Sequence, residues 1–110
     1  RDRMANQWPA NYFISVHTTG NVNPNINGAE IYIFQFNTQA NWLAQHIMNE
    51  IIRNTRLRDN GIRVNQSLYV LRNTNMPAVL VEMGYLTNWN IAYGIYLGIL
   101  NYFGFSPLGD

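Results

Sequence analysis

Pro77-Ala78-Val79-Leu80-Val81-Glu82-Met83-Gly84-Tyr85 is the stretch on which the fold turns. Behind a proline, four consecutive apolar residues, two of them β-branched, run up to one carboxylate. A short continuous apolar run of this kind reads as a strand buried on both faces of a sheet. A lone Glu inside it must be paired, stand at the strand end or do chemistry, because burying it unpaired costs several kcal/mol or about that. A second run has the same design: Tyr12-Phe13-Ile14-Ser15-Val16-His17 ends on an imidazole. Two strands thus each deliver one ionisable group to the rim of a sheet.

The rest of the chain supplies the layers. Thr18–Gly28 reads as a loop, with Gly20, Pro24, Gly28 and four asparagines. Ala29–Phe36 reads as the second strand, rich in β-formers. Asn37 or Thr38 caps a helix over residues 39–55, whose apolar positions Ala40, Leu43, Ala44, Ile47, Met48, Ile51 and Ile52 lie on one face. Asp59-Asn60-Gly61 breaks the chain, and Ser67–Leu71 reads as a short third strand. Ala78–Met83 is the fourth strand, and Ile91–Phe105, apolar nearly all round, reads as a buried C-terminal helix. Helices alternating with strands indicate an α/β architecture.

Composition narrows the function classes. The 110 residues are 47% hydrophobic and 12% charged, with a net charge of +1; one domain is the natural count. That charge argues against a nucleic-acid binder, which carries a clustered basic face. Arg53, Arg56 and Arg58 follow the helical pattern and read as a solvated helix end. All seven basic residues are arginine, and seventeen asparagines fill polar positions. There is no cysteine, so disulfides and thiolate metal sites are excluded, in keeping with a secreted bacterial protein. No apolar run is long enough to span a membrane.

A neutral imidazole and a carboxylate at neighbouring strand ends suit a zinc-hydrolase site, one group on the metal and one on the attacking water. A catalytic zinc takes three protein ligands, and by residue type and place His17 is the single candidate here. His46, off the clearest apolar face of its helix, reads as solvated, and Trp8, Trp42 and Trp89 as core residues. Glu30, at a strand start, suits a hydrogen-bonding role or a site role equally. Asn88 suits fixing the loop after Glu82.

Six blocks occur in order: Ala5-Asn6, Phe13-Ile14-Ser15-Val16-His17, Gly28-Ala29-Glu30-Ile31-Tyr32, Gly61-Ile62-Arg63, Val70-Leu71-Arg72-Asn73-Thr74, and Met76-Pro77 through Thr87-Asn88. Together they resemble the zinc-dependent N-acetylmuramoyl-L-alanine amidases, the family-3 type of cell-wall hydrolase, over the whole chain. The resemblance implies a mixed, mostly parallel twisted sheet sandwiched between helices, a phosphorylase/hydrolase-like amidase fold. It implies zinc as cofactor, with His17 as a metal ligand and Glu82 as the catalytic carboxylate. It implies peptidoglycan as the partner, cut between N-acetylmuramic acid and L-alanine. The setting would be the cell wall or periplasm, in sporulation, cell separation, autolysis or phage lysis. Arg72 is the candidate substrate-binding residue, facing stem-peptide carboxylates or the muramoyl group.

The sequence departs from the family pattern at several points. The Gly-His-Gly-Gly ligand block and a glutamate ligand that the family carries before the His17 block do not occur in it. Residues 1–110 are therefore expected to be one amidase catalytic domain lacking an N-terminal segment and a loop between residues 90 and 91. Thr19 stands where the family commonly has Asn. The alternative is a non-catalytic cell-wall-binding or regulatory relative that has lost zinc ligands, and a weaker one is another zinc amidohydrolase or carboxypeptidase.

Overall fold

Among the described residues four strands form one sheet in the order β1-β4-β2-β3, where β1 is Phe13–Thr18, β2 Ala29–Ile33, β3 Asp59–Val64 and β4 Ala78–Met83. The computed structural model describes residues 6–7, 10–18, 28–83 and 89–105. Strands β1 and β4 pair in parallel, as do β2 and β3, while β2 and β4 run antiparallel. The sheet is mixed and mostly parallel, as expected. Three helices with described bounds flank it: α1 (Gln39–Thr55), α2 (Tyr69–Arg72) and α3 (Trp89–Phe103). Trp8, Thr19, most of the Thr18–Gly28 loop and Gly84 through Asn88 lie outside the described residues.

Side chains alternate across the sheet, and the two faces are covered differently. Ala29, Ile31 and Ile33 of β2 and Val79, Val81 and Met83 of β4 are buried in one cluster with Leu43, Ala44, Ile47 and Ile51 of α1 and Ile91 of α3. On the opposite face Ala78 and Leu80 are covered by Leu71 of α2, with Phe13 and Tyr32 alongside. Both faces of β4 are therefore buried along most of its length, which is why its sequence runs apolar without alternation.

Helix α1 begins where Thr38 caps it, the threonine oxygen accepting from Asn41 N at 3.3 Å. It ends at Arg56, which takes a left-handed conformation (φ 60°) and donates its N–H to Ile52 O at 2.9 Å. Arg53, Arg56 and Arg58 are exposed around this end. Against α1 lies α3, at a spacing set by Gly94 and Gly98. A Cβ on Gly94 would sit 2.8 Å from Ile51 Cα, and one on Gly98 would overlap Ile47 Cα.

Five readings of the sequence are corrected. Ser67–Leu71 is not a strand: Tyr69–Arg72 is a single helical turn, with Arg72 N donating to Leu68 O and Asn73 N to Tyr69 O. The third strand is Asp59–Val64, made from the segment that reads as a break. Gly61 N donates to Asp59 Oδ1 at 2.8 Å and Gly61 has φ 95°, so the turn chemistry is real but is spent on a register shift opposite Ala29 and Ile31. The second strand stops at Ile33, leaving Phe34 and Phe36 exposed. Helix α3 is buried along one face only, with Tyr93, Tyr96 and Phe103 exposed. Trp42 stands on the outer face of α1 with 53% of its surface exposed, not in the core.

Candidate functional site

The two ionisable groups that end the apolar runs come together. In the parallel ladder His17 pairs with Glu82, one residue before the end of each strand. Neighbouring strands lie about 4.8 Å apart, and directly paired residues share a face. That face is the one opposite α1 and α3, because Glu82 lies between Val81 and Met83, which both enter the main cluster. His17 is exposed and Glu82 half-buried. An imidazole open to solvent beside a partly shielded carboxylate can serve as a metal ligand or a proton carrier without unfolding the strand.

A third group joins the row from the other side. Glu30 pairs with Glu82 across the antiparallel β2–β4 ladder, so His17, Glu82 and Glu30 stand on three adjacent strands. Like charges directly opposed destabilise a sheet. Glu30 is held by two partners: the Tyr32 hydroxyl donates to Glu30 Oε1 at 2.9 Å, and Arg63 Nε lies 3.4 Å from Glu30 Oε2. Strand β3 brings Arg63 there because it pairs with Tyr32 in the parallel β2–β3 ladder. Burial pushes the Tyr32 phenol above its ordinary value of 10.0; its hydrogen bond to Glu30 and the negative charges of Glu30 and Glu82 push the same way, against Arg63. The electrostatic field of Glu82 thus reaches Tyr32.

Tyr32 and Arg63 are the members of the site that sequence reading missed. The signal available was alternation: Glu30 and Tyr32 occupy the same face of β2. Arg63 could not be placed while its strand was read as a break.

The remaining candidates fall elsewhere. Arg72 closes α2 and lies beside Ala78, which stands about 13 Å before Glu82 along β4 at 3.3 Å per strand residue. His46 is half-buried on α1, its Nδ1 2.7 Å from Trp42 O and its ring edge-on to Tyr102 at 5.7 Å. Asn6 bonds the backbone on both sides of Thr74, donating to Asn73 O and accepting from Asn75 N, each at 2.8 Å. This pins the loop that leads into β4.

Among the described residues no three His, Asp or Glu side chains converge to hold a metal. His17, Glu82 and Glu30 form a row, with a single imidazole at one end. That donor set fits one position of a catalytic zinc centre and not the three it requires.

The family model described as N-acetylmuramoyl-L-alanine amidase matches residues 1–94. A cell wall amidase of Bacillus anthracis, itself uncharacterized, is 32% identical over 124 residues, spanning 94% of this chain and 23% of that protein. The N-acetylmuramoyl-L-alanine amidase CwlM of Bacillus licheniformis is 36% identical over 93 residues, spanning 84% of this chain and 35% of the relative. The solved amidase AmiC2 of Nostoc punctiforme superposes with a TM-score of 0.77 at 30% identity, over 93% of this chain and 63% of that one. The solved amidase of Clostridium difficile 630 superposes with a TM-score of 0.79 at 32% identity, over 93% and 62%. The chain spans about a quarter of the length of the first curated relatives, 23% and 25%.

Proposed function

Because this chain belongs to the N-acetylmuramoyl-L-alanine amidase family, we propose that it takes part in hydrolysing the amide between the lactyl group of N-acetylmuramic acid and L-alanine in peptidoglycan. The observation that carries this reading is the pairing of His17 with Glu82 at the carboxyl ends of two adjacent parallel strands, where open α/β sheets place their ligands.

Glu82 is the general base of the proposal. Its carboxylate takes a proton from the water that attacks the amide carbonyl carbon and passes it to the amide nitrogen as the C–N bond breaks. The products are a lactyl carboxylate on the glycan and a free amino terminus on the stem peptide. His17 is proposed as one position of a zinc centre, the rest of which the described residues do not supply. Zinc, when bound, supplies Lewis acidity to the amide carbonyl and the attacking water. Glu30, held by Tyr32 and Arg63, shapes the wall of the site beside Glu82. The setting in which this chemistry is useful is the bacterial cell wall.

The test is product analysis. Purified sacculi treated with the protein are expected to release stem peptides with new N-terminal alanine amines and no new glycan reducing ends. Release of single C-terminal residues would overturn the reading in favour of a carboxypeptidase. Tight binding to sacculi without any product would overturn it in favour of the non-catalytic wall-binding relative, a reading favoured by the incomplete donor set among the described residues.

A further inference from the structure

A cavity of about 350 Å³ opens at the end of the sheet away from His17 and Glu82. It lies where β4 begins and β2 has ended, between Phe34, Gln35 and Gln39 on one side and Leu71, Arg72 and Thr74 on the other. The size sits at the small end of the roughly 300–1,000 Å³ typical of ligand pockets.

The chemistry of the wall is one-sided. Arg72 supplies a full positive charge, and none of the described residues lining the cavity is acidic. Its guanidinium has no ion-pair partner among the described residues, whereas Arg53 and Arg63 are paired with Glu50 and Glu30. Gln35, Gln39 and Thr74 add neutral donors and acceptors, and Phe34, Leu71, Met76 and Pro77 give an apolar lining. A planar guanidinium fork above such a lining matches a carboxylate on a small apolar residue.

We propose that this cavity is a second binding site, which takes the carboxylate terminus of a peptidoglycan stem peptide. The proposal rests on the wall-amidase reading for its choice of peptide, and the geometry of the cavity is independent of it. The cut amide lies at the amino end of the stem and the free carboxylate at the other. Recognition at both ends of the sheet would favour wall carrying uncrosslinked stems, whose carboxylates are free.

The experiment is a titration of the protein with diacetyl-L-Lys-D-Ala-D-Ala and with the same peptide as its C-terminal amide, followed by the amide resonances of Gln35, Arg72 and Thr74. The acid is expected to give saturable shifts there, and the amide to bind at least tenfold more weakly. Arg72→Gln is expected to weaken the acid at least tenfold, Arg72→Lys less, and Glu82→Gln not at all. Equal binding of acid and amide, or unchanged binding by a folded Arg72→Gln protein, would overturn the proposal. Sacculus hydrolysis is read separately. Alanine amines released without peptide binding would sink the second site and leave the amidase reading; peptide binding without hydrolysis would do the reverse.

Discussion

His17 of β1 and Glu82 of β4 occupy one rung of the parallel ladder that joins the sheet's edge strand to its most buried strand. The pairing puts a solvent-open imidazole beside a half-shielded carboxylate without a loop having to position either. Glu82→Gln keeps the shape of the side chain and removes its basicity. We expect hydrolysis of sacculi to fall by about 10²–10⁴-fold, the usual contribution of a positioned general base. The melting temperature should hold, because Glu82 has no ion pair to lose among the described residues. A variant with full activity would remove Glu82 from the mechanism.

His17→Ala tests the other half of the rung. His17 is exposed and caps no core, so the fold is expected to survive. Zinc per protein, measured after dialysis at fixed free metal, should drop by about tenfold or more, the loss expected on removing the ligand proposed above. Undiminished zinc in a folded His17→Ala protein would take His17 out of the ligand set.

Two raised tyrosines are expected to weaken the fold at alkaline pH. Burial and the hydrogen bond shared with Tyr12 push the Tyr102 phenol up to about 12, and burial and Glu30 raise Tyr32 as well. In the unfolded chain both lose their protons near 10. Between that pH and the folded value the unfolded state binds fewer protons, so stability falls as pH rises. It is fully present below pH 10 and lost towards about 12. Urea midpoints measured from pH 9 to 12 should decline, and Tyr102→Phe should flatten the decline. Glu30→Gln should lower the Tyr32 titration, read by ultraviolet absorbance, part of the way back to 10, with burial holding the rest. A Tyr32 titration unmoved in that variant would mean that the 2.9 Å hydrogen bond does not persist in solution.

What the sequence disclosed depended on how many faces of a segment are buried. Strand β4 and helix α1 were legible to their end residues, Ala78–Met83 and Gln39–Thr55. One is apolar except for Glu82 and the other strictly periodic. Strand β3 was not legible, because it is a half-exposed edge strand with Asn60 and Gly61 at its register shift. Nor was α2, since Leu68-Tyr69-Val70-Leu71 has strand composition and becomes helical only because Leu71 must cover Ala78 and Leu80. For the site, His17 and Glu82 could be named from the ends of their runs, whereas Arg63 and the Arg72 cavity depend on which segments the topology brings together.

Glu50 shows a buried charge with a structural duty. Only 4% of it is exposed, on the face of α1 that meets α3. Asn101 Nδ2 donates to its Oε1 at 2.9 Å, Arg53 lies 3.4 Å from the same oxygen, and Asn54 donates to Oε2 at 3.4 Å. Asn101→Ala removes the shortest of these contacts and leaves the carboxylate under-satisfied, at a cost of about 1–3 kcal/mol. Asn101→Ala with Glu50→Gln should recover part of that loss, because a neutral amide is cheaper to bury. Denaturant titration of the wild type, both single variants and the double variant checks this. Additive losses would show that Asn101 and Glu50 do not interact.

The tightest constraint on the fold is the approach of α3 to α1 at Gly98. A methyl group there would meet His46 O at 2.8 Å and overlap the Ile47 backbone. Backbone cannot swing aside as a side chain does, so the helices must separate and Ile47, fully buried, must lose its packing. Overpacking of this kind costs about 1–3 kcal/mol, and Gly98→Ala should lie at the upper end of that range despite alanine's better helix propensity. Gly104→Ala is the control. Nothing lies within 4 Å of its Cβ position, and its φ of 79° makes the cost one of backbone strain alone, about 1 kcal/mol. Urea unfolding should therefore rank Gly98→Ala well below Gly104→Ala in stability. The reverse order would mean that the α1–α3 interface is looser in solution than the glycine pair implies.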